Sequence, residues 1–97
     1  MKFDWDLNKE KINIKKHGID FEKASFVFAD PFALNLFDTE HSDDENRWIL
    51  LGNSINDTIL LVVHTFDDPS GIEHVRIISA RKANRNEKQI YHNRCKK

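Results

Sequence analysis

Two arginines stand at the ends of alternating rows on segments that are typical of β-strands. Alternation along a strand places Arg47 in one row with residues 49 and 51, and Arg81 in one row with residues 75, 77 and 79. An apolar row usually faces the core, so each guanidinium is expected to emerge at the rim of the core. A planar guanidinium binds two phosphate oxygens at once, so the two arginines could together hold a phosphodiester. The alternative, which a single surface arginine favours, is an ion pair with a carboxylate, such as Arg47 with Glu45 or Asp38.

A lysine and a histidine form a second group that could take part in chemistry. Lys16 and His17 precede Gly18, and cations in a last helical turn followed by glycine are typical of a helix end. Their interaction with the helix dipole explains both residues without any function, and local evidence favours that explanation. A histidine that titrates near neutral pH beside a lysine could also donate or accept a proton. Both interpretations stay open.

Nothing in the sequence indicates a metal site or a cofactor. The five histidines share no ligand spacing, and the single cysteine, Cys95, excludes an internal disulfide and a zinc site built on cysteines. His41 lies in an acidic loop at 38–46 that offers no ordered array of ligands. His64, in a predicted central strand, is interpreted as a hydrogen-bonded core residue. We therefore expect no cofactor.

Charge is distributed unevenly along the chain. Residues 76–97 contain eight Lys and Arg and one acid, whereas the 75 residues before them contain seven Lys and Arg and fifteen acids. The formal charges of the two parts are therefore +7 and −8, which the net charge of −1 conceals. Bases held on a strand suit phosphate binding, and a basic C-terminal helix also suits a protein partner. The two interpretations are compatible.

The length and the apolar pattern limit the class of protein. Ninety-seven residues make one domain, 1–97. No apolar run approaches the roughly 20 residues that a membrane span needs. The first residues contain no apolar region of a signal peptide. We expect a cytoplasmic protein that does not bind membranes.

Periodicity and turn residues predict the order β-α-α-β-β-β-β-α. The predicted helices are 8–17, 21–28 and 85–95, the last with a capping box formed by Asn84 and Glu87. The predicted strands are 3–5, 32–37, 47–53, 58–66 and 72–81. Short turns join the last three strands into an antiparallel meander. The fold class is α+β, with two N-terminal helices beside a small antiparallel sheet and a C-terminal helix.

Several of these motifs, in this order, resemble the BrnT toxin family. The resemblance runs from residue 3 to about residue 92, nearly the whole chain. Its most specific elements are Lys-His-Gly at 16–18 and Ile-Ser-Ala-Arg-x-Ala at 78–83. The other matching motifs are Phe3-Asp4-Trp5-Asp6, Asp30-Pro31, Glu45-Asn46-Arg47, Gly52, Glu87 and Tyr91.

The resemblance implies a RelE-like fold, a ribonuclease activity that arrests translation, and a neutralising BrnA antitoxin with a ribbon-helix-helix DNA-binding part. A toxin homodimer within a toxin–antitoxin heterotetramer is one assembly that it allows. The expected substrate is RNA. The expected catalytic residues are Lys16, His17, Glu45, Arg47 and Arg81, and the expected RNA-binding residues are Arg76, Lys82 and Arg85.

Two functions of different classes fit this sequence. The first is a metal-independent endoribonuclease in which a 2′-hydroxyl attacks the adjacent phosphate. Arginines would stabilise the charge of the phosphorane, while Lys16, His17 or Glu45 would move protons. The alternative is a catalytically inactive module of the same fold that binds protein or nucleic acid.

Overall fold

The structure is a computed structural model, and it describes residues 1–40 and 45–95. His41 and most of the central part of the loop predicted at 38–46 lie outside the described residues, as do residues 96–97. The helices are α1 (Leu7–His17), α2 (Phe21–Ser25) and α3 (Arg85–Cys95). The strands are β1 (Lys2–Trp5), β2 (Leu34–Phe37), β3 (Arg47–Asn53), β4 (Ile59–Asp67) and β5 (His74–Lys82).

Local capping signals set the ends of the helices. The carboxylate of Asp6 accepts hydrogen bonds from the first turn of α1, and that of Asp20 accepts from the Lys23 N–H of α2 at 2.8 Å. Gly18 ends α1 with a φ of 71°, a conformation that favours glycine. The predicted second helix, 21–28, is a short α2 continued by a 3₁₀ turn at Phe26–Ala29.

The capping box of the final helix is confirmed. The Asn84 side chain accepts from the Glu87 N–H at 2.8 Å, and the Glu87 carboxylate accepts from the Asn84 N–H at 2.8 Å. Both donors belong to the first turn, where no intrahelical acceptor is in reach. This exchange fixes the start of α3 at Arg85.

The five strands form one mixed sheet in the order β1-β5-β4-β3-β2. Strands β3 to β5 form the predicted antiparallel meander and β2 extends it beside β3, but β1 lies parallel to β5 at the opposite edge. The prediction of an antiparallel sheet is therefore wrong for this pair. From β1 the chain crosses through both helices to the far edge, and three hairpins then bring β5 back beside β1 in the same direction.

A β-bulge changes which residues share a face on β5. Val63 pairs with Ser79 and His64 pairs with Ile77, so Ile78 is the extra residue on β5. The predicted common row of 75, 77, 79 and 81 is therefore wrong. Val75 and Ile77 face one side, whereas Ser79 and Arg81 face the other.

The two faces of the sheet have different functions in the fold. The core face packs against α1 and α2 around residues that include Phe21, Val27, Leu60, Val62, Val75, Ile77 and Ala80. The opposite face, here called the arginine face, carries Arg47, Thr65, Arg76, Ser79 and Arg81 by register. At one end of the arginine face, α3 covers a second cluster formed by Leu51, Ile59, Ala83 and Tyr91.

Asn13 joins α1 to the edge of β5. Strand β1 ends opposite Ile77, so the edge of β5 beyond that point has no strand beside it. The Nδ2 of Asn13 donates to the carbonyl oxygens of Ile19 and Ala80 at 2.8 and 2.9 Å, and its Oδ1 accepts from the Ala80 N–H at 3.0 Å. The side-chain amide thus replaces a missing strand. Asn13 is the buried residue of α1.

Asp30 joins α3 to β3 in a similar way. Its Oδ2 accepts from the Tyr91 hydroxyl at 2.5 Å and from the Asn53 N–H at 2.7 Å. Burial alone would raise the pKa of Asp30, but these bonds and one from the Phe32 N–H outweigh it and lower the pKa. Burial and the contact with Asp30 raise the pKa of Tyr91. Gly52 is required beside this carboxylate, because a Cβ there would come within 2.9 Å of two side chains.

We expect Asn13→Ala to lower the free energy of unfolding by about 2–4 kcal/mol, because it leaves a buried N–H and two carbonyl oxygens without their donor or acceptor. Urea unfolding measures the change. Asn8→Ala, in the exposed first turn of the same helix, is the matched control and should change stability by less than about 1 kcal/mol. Equal losses in the two variants would contradict the role of Asn13.

Candidate active site

Three arginines of the expected site lie on the arginine face, and two of them are level with each other. Arg47 and Arg76 both pair with Thr65, the one from β3 and the other from β5. Two strand spacings separate their backbones by about 10 Å. Two arginine side chains can converge on one phosphate across that distance. This end of the sheet is called the Arg47 end below.

Carboxylates contact both of these arginines. Arg76 Nη1 donates to Asp4 Oδ2 at 2.7 Å, and Asp4 reaches Arg76 because β1 pairs with β5. Arg47 Nη2 lies 3.7 Å from Glu45 Oε1, one of the ion pairs that the sequence offered as an alternative. His74 lies 3.7 Å from the same oxygen of Asp4. The Arg76–Asp4 pair is exposed on both sides, so it contributes little stability and another anion can displace it at low cost.

Arg81 lies on the same face but at the other end of it. It pairs with Leu61, four residues along β4 from Thr65, so its backbone is about 16 Å from that of Arg47. Its Nη1 and Nη2 donate to the two carboxylate oxygens of Glu87 at 2.8 and 2.9 Å. The expectation of a shared face is confirmed, whereas a phosphate shared by Arg47 and Arg81 stays a prediction, since the guanidinium of Arg81 is bound by Glu87. The level pair is Arg47 and Arg76.

The Arg81–Glu87 ion pair has the geometry of a strong interaction. Both guanidinium nitrogens are used, and the Glu87 side chain is only 18% exposed. The hydrogen bonds that Arg81 donates to Glu87 raise the pKa of Arg81 and lower the pKa of Glu87. Arg81 is therefore fixed in position beside α3.

Lys16 and His17 lie on α1 at the edge of the sheet, beside Ile78 and Ser79 of β5. A cleft of about 310 Å³ separates α1 from β5, and its walls include Lys16, His17, Ile78 and Ser79. Ser79 is two residues before Arg81 on the same face. Asn13 also lines this cleft, and its bonds to Ala80 hold the helix at that distance. The structure thus brings Lys16 and His17 near the row that contains Arg81.

The remaining expected residues are dispersed. Glu45 is exposed beside Arg47, at the end of the sheet away from Lys16. Lys82 is exposed at the end of β5, where it lines clefts beside the β3–β4 turn. Arg85 is exposed in the first turn of α3. Of the expected residues, Arg47, Arg76 and Arg81 share the arginine face, Lys16 and His17 lie at the edge of β5, and Lys82 lies apart from both groups.

Sequence reasoning missed two residues that shape this site, Asp4 and Asn13. Asp4 alternates with Phe3 and Trp5 in β1, so its exposure was predictable, but the parallel pairing that brings it to Arg76 was not. Asn13 occupies the one buried position of a helix whose apolar residues are mostly exposed. A weak apolar stripe with a central asparagine was the available signal.

Residues 1–40 and 45–95 contain no group of three His, Cys, Asp or Glu side chains that could hold a metal ion. Over the same described residues, none of the helices is long and apolar enough to cross a membrane. Metal independence remains a prediction.

Comparison with known proteins decides the family. The family model "Ribonuclease toxin, BrnT, of type II toxin-antitoxin system" matches residues 5–87. The chain belongs to the BrnT family. A 1.1 Å crystal structure of the Brucella abortus ribonuclease toxin BrnT is similar to it, with a TM-score of 0.63 and 31% identity over 88% of this chain and 99% of that one. No curated protein matches. The similarity to the BrnT structure supports a mixed α+β fold with a five-stranded sheet and three helices.

The Arg81–Glu87 pair makes a testable contribution to stability. Because folding lowers the pKa of Glu87 below 4.5, its contribution is fully present above that pH and is lost as the pH falls through the folded-state pKa. We expect Glu87→Gln to cost about 1–2 kcal/mol at pH 7 and much less at pH 3, as measured by urea unfolding. Glu22→Gln, in the exposed first turn of α2, should show no such change with pH. A Glu87→Gln cost that is independent of pH would contradict this assignment.

Proposed function

We propose that this chain is the toxin of a type II toxin–antitoxin pair and that it cleaves RNA without a metal ion. Membership in the BrnT family supports ribonuclease activity in general. The observation that carries the finer proposal is the level pair of arginines, Arg47 and Arg76, on the face that also carries Arg81, with Lys16 and His17 in a cleft at the edge of that sheet. Such a face offers several positive charges to a polyanion that passes across it.

The proposed reaction is an internal transesterification of the RNA backbone. The 2′-hydroxyl loses its proton and its oxygen bonds to the adjacent phosphorus. The bond from phosphorus to the 5′ oxygen breaks, and that oxygen takes up a proton. The products are a 2′,3′-cyclic phosphate and a free 5′-hydroxyl, and no oxidant or cofactor is consumed.

The arginines would stabilise the charge that the phosphorane gains. Arg47 and Arg76 are the pair that can contact one phosphate from two strands, and their carboxylate partners must give way to it. Arg81 is held by Glu87 and so presents a fixed positive charge. Lys82 and Arg85 lie further along the basic segment and would contact flanking phosphates.

Proton transfer is assigned to residues beside this row. Lys16 and His17 line the cleft that opens next to Ser79, and His17 has the chemistry of a base or an acid near neutral pH. Glu45 lies beside Arg47 and would act at the Arg47 end. We assign the proton steps to this set without dividing the roles of base and acid among its members.

The proposed neutralising partner is a BrnA-like antitoxin with a ribbon-helix-helix DNA-binding part. The family belongs to type II systems, in which an antitoxin is the expected partner. We propose that the complex is tight and forms in the cytoplasm, with a toxin homodimer inside a heterotetramer as one assembly to be tested by light scattering.

The second candidate function is a binding module without catalysis. It is favoured by the fact that Arg47, Arg76 and Arg81 each contact a carboxylate in this structure. If these ion pairs persist when RNA is present, the arginines stabilise the fold and do not bind phosphate.

Incubation of the purified chain with RNA distinguishes the two functions. We expect cleavage that persists in excess EDTA, with products ending in a cyclic phosphate. Arg76→Ala, which keeps the fold, should reduce cleavage at least about 100-fold, since one lost contact to transition-state charge costs about that much. Loss of activity in EDTA that a divalent ion restores would overturn the metal-free mechanism. Absence of cleavage under all conditions would favour the binding module.

Substitutions of Arg81 and Glu87 distinguish the proposed catalytic role of Arg81 from its role in the ion pair. We expect Arg81→Ala to abolish growth arrest and Arg81→Lys to remain weak, because a point charge does not replace a planar donor of two bonds. Glu87→Ala breaks the same ion pair but keeps the charge of the arginine, so it should lose less activity than Arg81→Ala. If Glu87→Ala and Arg81→Ala lose growth arrest equally, the role of Arg81 is structural.

A further inference from the structure

The core face is not covered along its whole length. Helices α1 and α2 cover the part near β5 and the β3–β4 turn, whereas the Arg47 end keeps an open cleft of about 220 Å³. Its walls include Phe28, Trp48, His64, Phe66 and Val75. The cleft therefore lies on the back of the sheet segment that carries Arg47 and Arg76 on its front.

Aromatic side chains extend this cleft into a larger apolar surface. Phe37 packs edge-on against Trp48 with ring centroids 5.1 Å apart, and Phe3 packs in the same way against Phe28 at 5.2 Å. Phe3, Phe37 and Phe66 are each between 37% and 43% exposed. An apolar surface of this kind, contributed by several strands, is typical of a site of protein–protein interaction.

Two carboxylates lie beside this surface at the β4–β5 turn. Asp68 follows Phe66 by two residues, Glu73 lies two residues before Val75, and both are exposed. Lys2, on β1, is the neighbouring base. RNA would be repelled by these acids, although its bases could stack on the rings. A protein segment with apolar anchors and flanking bases is complementary in both respects.

We propose that this surface, here called the aromatic cleft, is the docking site of the antitoxin. An apolar anchor of the antitoxin fills the space between Phe28, Trp48 and Phe66, and its basic residues meet Asp68 and Glu73. The proposal rests on the toxin–antitoxin function proposed above but not on RNA cleavage. Consecutive residues of β4, Thr65 and Phe66, point to opposite faces. An antitoxin anchored at Phe66 is therefore one sheet thickness from the arginines.

The test uses Phe66→Asp with Phe26→Asp as the matched control. Both phenylalanines are 43% exposed, but Phe26 lies in the 3₁₀ turn after α2 and not at the aromatic cleft. We expect Phe66→Asp to bind the purified cognate antitoxin at least about 30-fold more weakly, which is typical of a central aromatic contact. In cells it should arrest growth even when the antitoxin is co-expressed. Phe26→Asp should bind and be neutralised like the parent chain.

A second variant reverses the charge and leaves the apolar residues intact. Asp68→Lys with Glu73→Lys should slow association with the antitoxin, and the deficit should shrink at high salt. Faster association would show that the antitoxin presents acids here, which would overturn the proposal. Circular dichroism shows whether Phe66→Asp is folded. If it is not, the charge-reversed variant still tests the proposal.

The remaining outcomes each have a defined meaning. Unchanged antitoxin affinity of a folded Phe66→Asp overturns the proposal. The proposal is also overturned if Phe66→Asp loses RNA binding but retains antitoxin binding, since the aromatic cleft would then be a stacking surface for bases. If the parent chain binds the antitoxin but cleaves no RNA, the catalytic proposal fails while the docking test still gives its result.

Discussion

The position of α1 depends on three hydrogen bonds from one side chain. Strand β1 has four residues and β5 has nine, so half of the edge of β5 has no neighbouring strand. Asn13 occupies that place with a donor and an acceptor directed at Ala80. The helix is thereby held against the sheet although its apolar residues Ile12 and Ile14 are exposed. One polar side chain makes this contact between α1 and β5, and a cleft lined by Lys16 and His17 remains beside it.

The bulge at Ile78 complements this arrangement on the same strand. Without the extra residue, strict alternation would direct Arg81 to the side occupied by α1 and α2. With it, Ala80 faces the core while Ser79 and Arg81 face α3 and the open part of the sheet. The guanidinium of Arg81 then meets Glu87, whose carboxylate also caps α3. A single inserted residue thus links the strand, the terminal helix and the candidate site.

The features that were predictable from sequence are those determined by nearby residues. Asp20, Gly18 and the pair Asn84–Glu87 act within one helical turn, so the ends of the helices followed from local chemistry. The parallel edge strand and the contact of Asn13 with Ala80 join residues 67 or more positions apart, and no local pattern encodes them. For the site, residue types were predictable, but the bulge that assigns Arg81 to its face and the separation of Arg81 from Arg47 were not.

The ion pairs Asp4–Arg76 and Glu87–Arg81 of the arginine face differ in how readily they can be exchanged for phosphate. Asp4 is 44% exposed and makes a contact to Arg76 through one guanidinium nitrogen, so water and salt weaken it. Glu87 is more buried, accepts hydrogen bonds from two nitrogens of Arg81 and also caps α3. If Glu87 moved away from Arg81, the cap at the start of α3 would be lost as well. In the proposed reaction, the Arg47 end therefore exchanges carboxylates for phosphate, whereas Arg81 contributes charge from a fixed position. The ion pair that organises α3 is thus a different one from the ion pair that is proposed to give way to substrate.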